Sequence, residues 1–302
     1  MYKEDSIITH SWSFALASKV KDYFQLIKFT LSFMVVFSCV TCYLLAPNVT
    51  FNFLSVLVLF VAGMLITGSA NAINQAIEKD TDALMRRTSN RPITAGRMNE
   101  NEAYTFAAIA GFAGVFIMWQ WFNLTSALIG AFSLFLYAFI YTPLKKINSV
   151  AVLVGAFPGA LPCLIGWVAA TNNFSEGGWA LFGIQFLWQF PHFWAIAWVA
   201  HKDYSNAGFK LLPSGQGPTK FTALQTIMYS MLMIPVGMLP FYFGISGSLS
   251  MWIILCCNIW MVFVSVMLFV KMDVTAARKV MFSSYFYLML VFLSLLFDKV
   301  RI

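Results

Sequence analysis

Long apolar runs alternate with short polar stretches along almost the whole chain, and nine of the runs are of membrane-crossing length. They fall at about 29–46, 52–76, 103–121, 124–141, 149–170, 179–200, 221–244, 249–270 and 280–297. The pattern predicts an all-α, polytopic membrane protein with nine transmembrane helices and one domain spanning residues 1–302. Residues 1–28 read as a cytoplasmic N-terminal segment, in which Trp12, Phe14, Leu16 and Val20, mixed with Lys19 and Lys21, suit the membrane surface. Asn123 marks a tight turn between the third and fourth spans. Pro158, Pro162, Pro191, Pro235 and Pro240 interrupt spans; each removes a helix hydrogen bond, either as ordinary membrane-helix irregularity or to widen a cavity.

Composition supports this reading. Of 302 residues, 60% are hydrophobic and 10% charged, which excludes a water-soluble domain. Seventeen of the nineteen Lys and Arg residues lie on alternate polar stretches, and only Lys299 and Arg301 fall on the other side. That asymmetry places the N-terminus in the cytoplasm and the C-terminus outside, in a multi-pass plasma (inner) membrane protein. The net charge of +7 therefore reads as a topology signal, with no stripe or motif for nucleic acid. Cys39, Cys42, Cys163, Cys256 and Cys257 all sit within apolar runs and read as small packing residues.

Candidate chemistry concentrates where the second run ends, between Asn74 and Pro92. Asn74, Glu78 and Asp82 are spaced four apart, so a helix lines them on one face and leaves Asp80 on the other. Mg²⁺ takes one or two protein carboxylates and completes its octahedron with water and substrate phosphates. Glu78 and Asp82 can supply the carboxylates and Asn74 a neutral oxygen. Arg87 and Arg91, also four apart, could clamp a diphosphate.

A second polar cluster, His201-Lys-Asp-Tyr204, follows the sixth run. Asp203 could anchor a second metal and Tyr204 could orient a diphosphate oxygen, or Lys202 and Tyr204 could be interfacial anchors. Lys145 and Lys146 can set topology and also contact phosphate. The two clusters are four runs apart, as expected if two four-helix halves each present a polar loop to a shared cavity. Of three histidines, only His192 lies inside a run. It is either a functional group or a side chain bonded to a carbonyl freed by Pro191.

The stretch N-x-x-x-E-x-x-x-D-x-x-M-x-R-T-x-x-R-P, Asn74 to Pro92, resembles the signature of the UbiA-type intramembrane prenyltransferases. The haem-farnesylating branch of that family is the most similar, on Tyr141-Thr-Pro-Leu-Lys145, the Gly155–Trp167 stretch, and Trp188 to Pro213 with its P-H-F-W and D-Y-x-x-A-G elements. The resemblance implies helices around a central cavity open to the cytoplasmic face and laterally to lipid. It implies transfer of a farnesyl group from farnesyl diphosphate to the vinyl group of haem B, giving haem O, with Mg²⁺ as cofactor. The implied metal set is Asn74, Glu78, Asp82 and Asp203; the diphosphate contacts are Arg87, Arg91, Lys145 and Tyr204; His192 is the haem contact. A haem-modifying enzyme or an oxidase would receive the product. The chain departs from the family pattern at Glu78, usually Asp, at Lys202, often an acid, and at Phe29-Thr30, often Pro-Arg. Two other readings remain: prenylation of an aromatic quinone precursor, which would not require His192, and a transporter, which would be expected to bury charge at mid-membrane.

Overall fold

The computed structural model describes residues 17–214 and 217–300. His10, Trp12, Phe14 and Leu16 lie outside the described residues. Each expected run is a helix. In chain order these are α1 (Ala17–Leu26), α2 (Phe29–Leu45), α3 (Phe53–Ile77), α4 (Lys79–Ala83), α5 (Glu100–Trp121) and α6 (Leu124–Phe135). A π-helical turn, Leu136–Tyr141, then leads into α7 (Thr142–Ile147), α8 (Ala151–Thr171), α9 (Glu176–Val199) and α10 (His201–Asn206). The last three are α11 (Lys220–Tyr242), α12 (Ser248–Lys271) and α13 (Val274–Phe297). Among the described residues the only β feature is an isolated bridge between Ser246 and Lys299.

Helix starts follow side-chain capping. Asn52, Asn99, Asn123 and Asp273 each accept a bond from the backbone N–H three residues on, which satisfies a donor that the first turn leaves free. This is why α6 can begin with only two residues between it and the end of α5.

Among the described residues seven helical segments are long and apolar enough to cross a membrane, and an eighth if α1 and α2, bent by 54°, form one span. α1 packs on the bundle: its Asp22 and Leu26 are buried, while Val20 is exposed. α9 is 24 residues long but falls outside that group. It carries Gln185, Gln189, His192 and four tryptophans, and it packs on α8, α11 and α13. A helix surrounded by other helices can carry polar groups because it bonds them to its neighbours. Gln185 Nε2 donates to the Gly159 carbonyl and Gln189 Nε2 to the Ala156 carbonyl, both at 2.8 Å.

Small residues set the closest approaches. A Cβ at Gly166 would lie 1.9 Å from the Cys39 carbonyl oxygen, so α8 meets α2 backbone to backbone there. α3 packs on α5, and α13 touches α2, bringing the ends of the bundle together.

Candidate active site

The polar cluster begins where α3 stops. The expected unbroken helix is interrupted at Glu78, which leaves helical geometry (φ −93°, ψ 8°) before α4 begins. Two backbone bonds carry the four-residue spacing across the break: Glu78 N–H to the Asn74 carbonyl at 3.0 Å and Asp82 N–H to the Glu78 carbonyl at 2.7 Å. The shared face therefore survives. Asn74, Glu78 and Asp82 are 0%, 4% and 1% exposed, while Asp80 faces out.

Three cations from three other elements meet this face. Lys28, in the bend between α1 and α2 with φ +48°, donates from Nζ to Asn74 Oδ1 at 2.6 Å. Lys145 of α7 is ion-paired with Glu78. Arg91 Nη1 meets Asp82 Oδ2 at 2.5 Å. Asn74 also donates to Thr142 Oγ1 at 3.1 Å, and Thr142 donates in turn to the Tyr137 carbonyl. The cluster thus holds one more cation than carboxylate. Asp82 Oδ1 is buried with no hydrogen-bond partner. Burial pushes the Asp82 carboxyl above its ordinary value, against the pull of the Arg91 guanidinium.

The π-helical turn bears on the same place, as such turns often do at functional sites. Its Tyr141 ring sits over Gly155, where an added Cβ would lie 2.6 Å from the ring. The Lys145 ammonium is 5.0 Å from the Tyr141 ring centre and 5.3 Å from that of Phe209.

The second polar cluster comes to the first. Arg87 donates to the Tyr204 hydroxyl at 3.0 Å, with its guanidinium 5.6 Å from that ring. Met85 packs with Ala207 and Phe209, and Lys210 N–H donates to the Lys145 carbonyl at 2.8 Å. The two polar loops therefore clasp one another beside the buried ion pairs.

Two expected arrangements differ. Residues 84–99 run as a series of turns, so Arg87 and Arg91 do not share a helix face. Arg91 points inward to Asp82, and Arg87 stays exposed on Tyr204. Asp203 is half-buried on α10, and among the described residues no group of three or more His, Cys, Asp or Glu side chains is placed to hold a metal ion. The three carboxylates thus do not form a common cage. A hollow of about 780 Å³ between α12 and α13 is lined by none of the expected site residues.

His192 is 7% exposed on α9. Among the described residues it bonds Ser284 Oγ of α13 at 2.8 Å and no carbonyl, in place of the expected bond to a carbonyl freed by Pro191. Trp188 stacks on it at 4.5 Å, and Tyr285 meets it edge-on at 5.0 Å. Sequence reasoning passed over two site residues. Lys28 was counted with the topology lysines, although it interrupts an otherwise apolar stretch. Tyr137 carried no signal, because the π turn that positions it has no sequence signature.

Fold and site together define a helical membrane protein with a buried acid–base cluster at the end of one long helix. The model of the UbiA prenyltransferase family matches residues 35–295, and the chain belongs to that family. It is similar to proteins named protoheme IX farnesyltransferase. The one from Cytophaga hutchinsonii is 42% identical over 94% of this chain and 100% of its own length. The one from Flavobacterium psychrophilum is 41% identical over 94% and 96%. Among solved structures, digeranylgeranylglyceryl phosphate synthase superposes with a TM-score of 0.78 at 20% identity, covering 93% of this chain and 98% of that one. A UbiA homolog from Archaeoglobus fulgidus bound to GPP and Mg²⁺ gives 0.63 at 14% identity, covering 91% and 99%.

Proposed function

We propose that this protein is a protohaem IX farnesyltransferase: it transfers the farnesyl group of farnesyl diphosphate to the vinyl group of haem B and so makes haem O. The observation that carries the reading is the buried cluster of Asn74, Glu78 and Asp82 faced by Lys28, Arg91 and Lys145. The relatives named for this activity cover nearly the whole chain.

The donor set suits Mg²⁺. Asp82 Oδ1 is a buried carboxylate oxygen without a partner, and hard oxygen donors with few protein ligands are what this ion takes alongside substrate phosphates. Asn74, Glu78 and Asp82 would hold it, and when bound it would neutralise charge on the diphosphate. Asp203 would reach such a site only through water or substrate.

The chain's own residues account for the remaining electrostatics. As the bond from farnesyl C1 to oxygen breaks, its electron pair leaves with the diphosphate. Lys28, Lys145 and Arg91, which face Asn74, Glu78 and Asp82, would stabilise that charge, in a desolvated setting that strengthens the interaction. Arg87 and Tyr204 would close over the diphosphate from the loop side. The vinyl carbon of haem supplies the electron pair for the new C–C bond, and water adds to the resulting cation with loss of a proton. His192 would ligate the haem iron. The Lys and Arg distribution supports a cytoplasmic position for the clasped loops.

Purified protein given farnesyl diphosphate and Mg²⁺, with haem B or a hydroxylated aromatic acid, tests the reading by product mass. Hydroxyethylfarnesyl haem is the expected product. Prenylation of the aromatic acid with haem untouched would overturn it.

A further inference from the structure

The hydrogen bonds around His192 decide which ring nitrogen carries the proton. Its Nδ1 lies 2.8 Å from Ser284 Oγ. Ser284 Oγ in turn lies 2.6 Å from the carbonyl oxygen of Met281, one turn back on α13. Two oxygens at that separation require a proton between them, and a hydroxyl has only one to give. Ser284 therefore donates to Met281 and presents a lone pair to the imidazole, so His192 must donate from Nδ1. The lone pair is left on Nε2; the one hydrogen bond of the ring among the described residues is at Nδ1.

The rest of Ser284 fixes the ring itself. Its backbone carbonyl accepts the Trp188 indole N–H at 2.7 Å, and Trp188 stacks on His192 with an interplanar angle of 16°. One residue of α13 thus sets the orientation and the tautomer of one residue of α9. Tyr285, beside it and edge-on to the imidazole, is within electrostatic reach of Arg87 and Tyr204, so this corner adjoins the clasped loops.

We propose that Ser284 is a positioning residue that holds His192 as the Nδ1–H tautomer and keeps Nε2 available to a metal centre, the iron of the haem substrate. Histidines that ligate metals characteristically donate the other ring N–H to a fixed acceptor, and that acceptor sets which nitrogen faces the metal. The proposal rests on the reading of His192 as the haem contact; the tautomer itself does not.

The test separates the two. With ¹⁵N-labelled histidine only three residues report, and His192 is identified by loss of its signals in His192→Ala. The full-length protein without haem should show His192 protonated at Nδ1 and bare at Nε2. Ser284→Ala should shift it toward Nε2–H or a mixture, and Ser284→Thr, which keeps the hydroxyl, should restore it. An Nε2–H ring in the unmodified protein, or no change in Ser284→Ala, would overturn the proposal. Haem titration is the second readout. Ser284→Ala should weaken haem B binding about 10–100-fold and alter the Soret band, with farnesyl diphosphate affinity unmoved. A haem spectrum changed by His192→Ala but not by Ser284→Ala would sink the positioning role alone. A spectrum unchanged in His192→Ala would remove the iron from the proposal and the ligand from the functional reading.

Discussion

Asp82 is held by Arg91 through one carboxylate oxygen and is buried at the other without a partner. Asp82→Asn keeps the shape and an acceptor for Arg91 but removes the charge. With Glu78→Gln, it should reduce turnover on the order of 10²-fold or more; each change also leaves a buried cation unpaired, so the thermal midpoint in detergent should fall, and activity lost well below that lowered midpoint marks the catalytic part of the effect. The same burial gives a pH dependence. The Asp82 carboxyl is raised, so its ionised form is lost as pH falls while an ordinary aspartate is still charged. In the protein without metal the Asp82 carboxyl should therefore titrate above the ordinary carboxylate range, read from its infrared carboxylate band, and higher still in Arg91→Gln, which removes the opposing guanidinium. Stability runs the other way. The folded state holds a proton that the unfolded state has released, so this group's contribution falls as pH rises from the ordinary to the raised value. The acids were legible in the sequence because four-residue spacing survives a helix break that keeps its backbone bonds. Lys28 was not, because a single lysine has no spacing to read.

Two glycines of α8 separate packing from function at the scale of elements. A Cβ at Gly166 would meet the rigid Cys39 backbone, so Gly166→Ala should destabilise by about 1–3 kcal/mol, read as a lower thermal midpoint. Gly155→Ala instead crowds the Tyr141 ring, which can move and take with it the face over Lys145. Its expected signature is weaker farnesyl diphosphate binding with a small stability change; equal losses for haem and diphosphate would point to general unfolding. Helix positions were readable from apolar runs and Asn caps. The π turn at Leu136–Tyr141 was not, because it adds one residue to a run whose apolar pattern already continues through it. The turns at 84–99 were not legible either, because a spacing of four between Arg87 and Arg91 says where the side chains lie only once the backbone is known.

Across the whole molecule, topology is the open arithmetic. Among the described residues seven segments are long and apolar enough to cross, the bent α1–α2 pair makes an eighth if it is one span, and α9 then makes the ninth if neighbouring helices carry its polar groups. Its bonds to α8 and α13 give it that support. Reporter fusions after Asn99 and Asn206 should read cytoplasmic, and those after Asn173 and at the C-terminus external. A cytoplasmic C-terminus would leave α9 uncrossed or another span miscounted.

The central claim is that the cluster at the end of α3 receives the diphosphate with its metal. A structure of the protein with a non-hydrolysable farnesyl diphosphate analogue and Mn²⁺ in place of Mg²⁺, located by its anomalous signal, tests it most directly. The account predicts the metal bonded to Asp82 Oδ1 and to Glu78, with diphosphate oxygens on Lys28, Lys145 and Arg91. Metal and diphosphate found away from these residues, with their ion pairs intact, would contradict it.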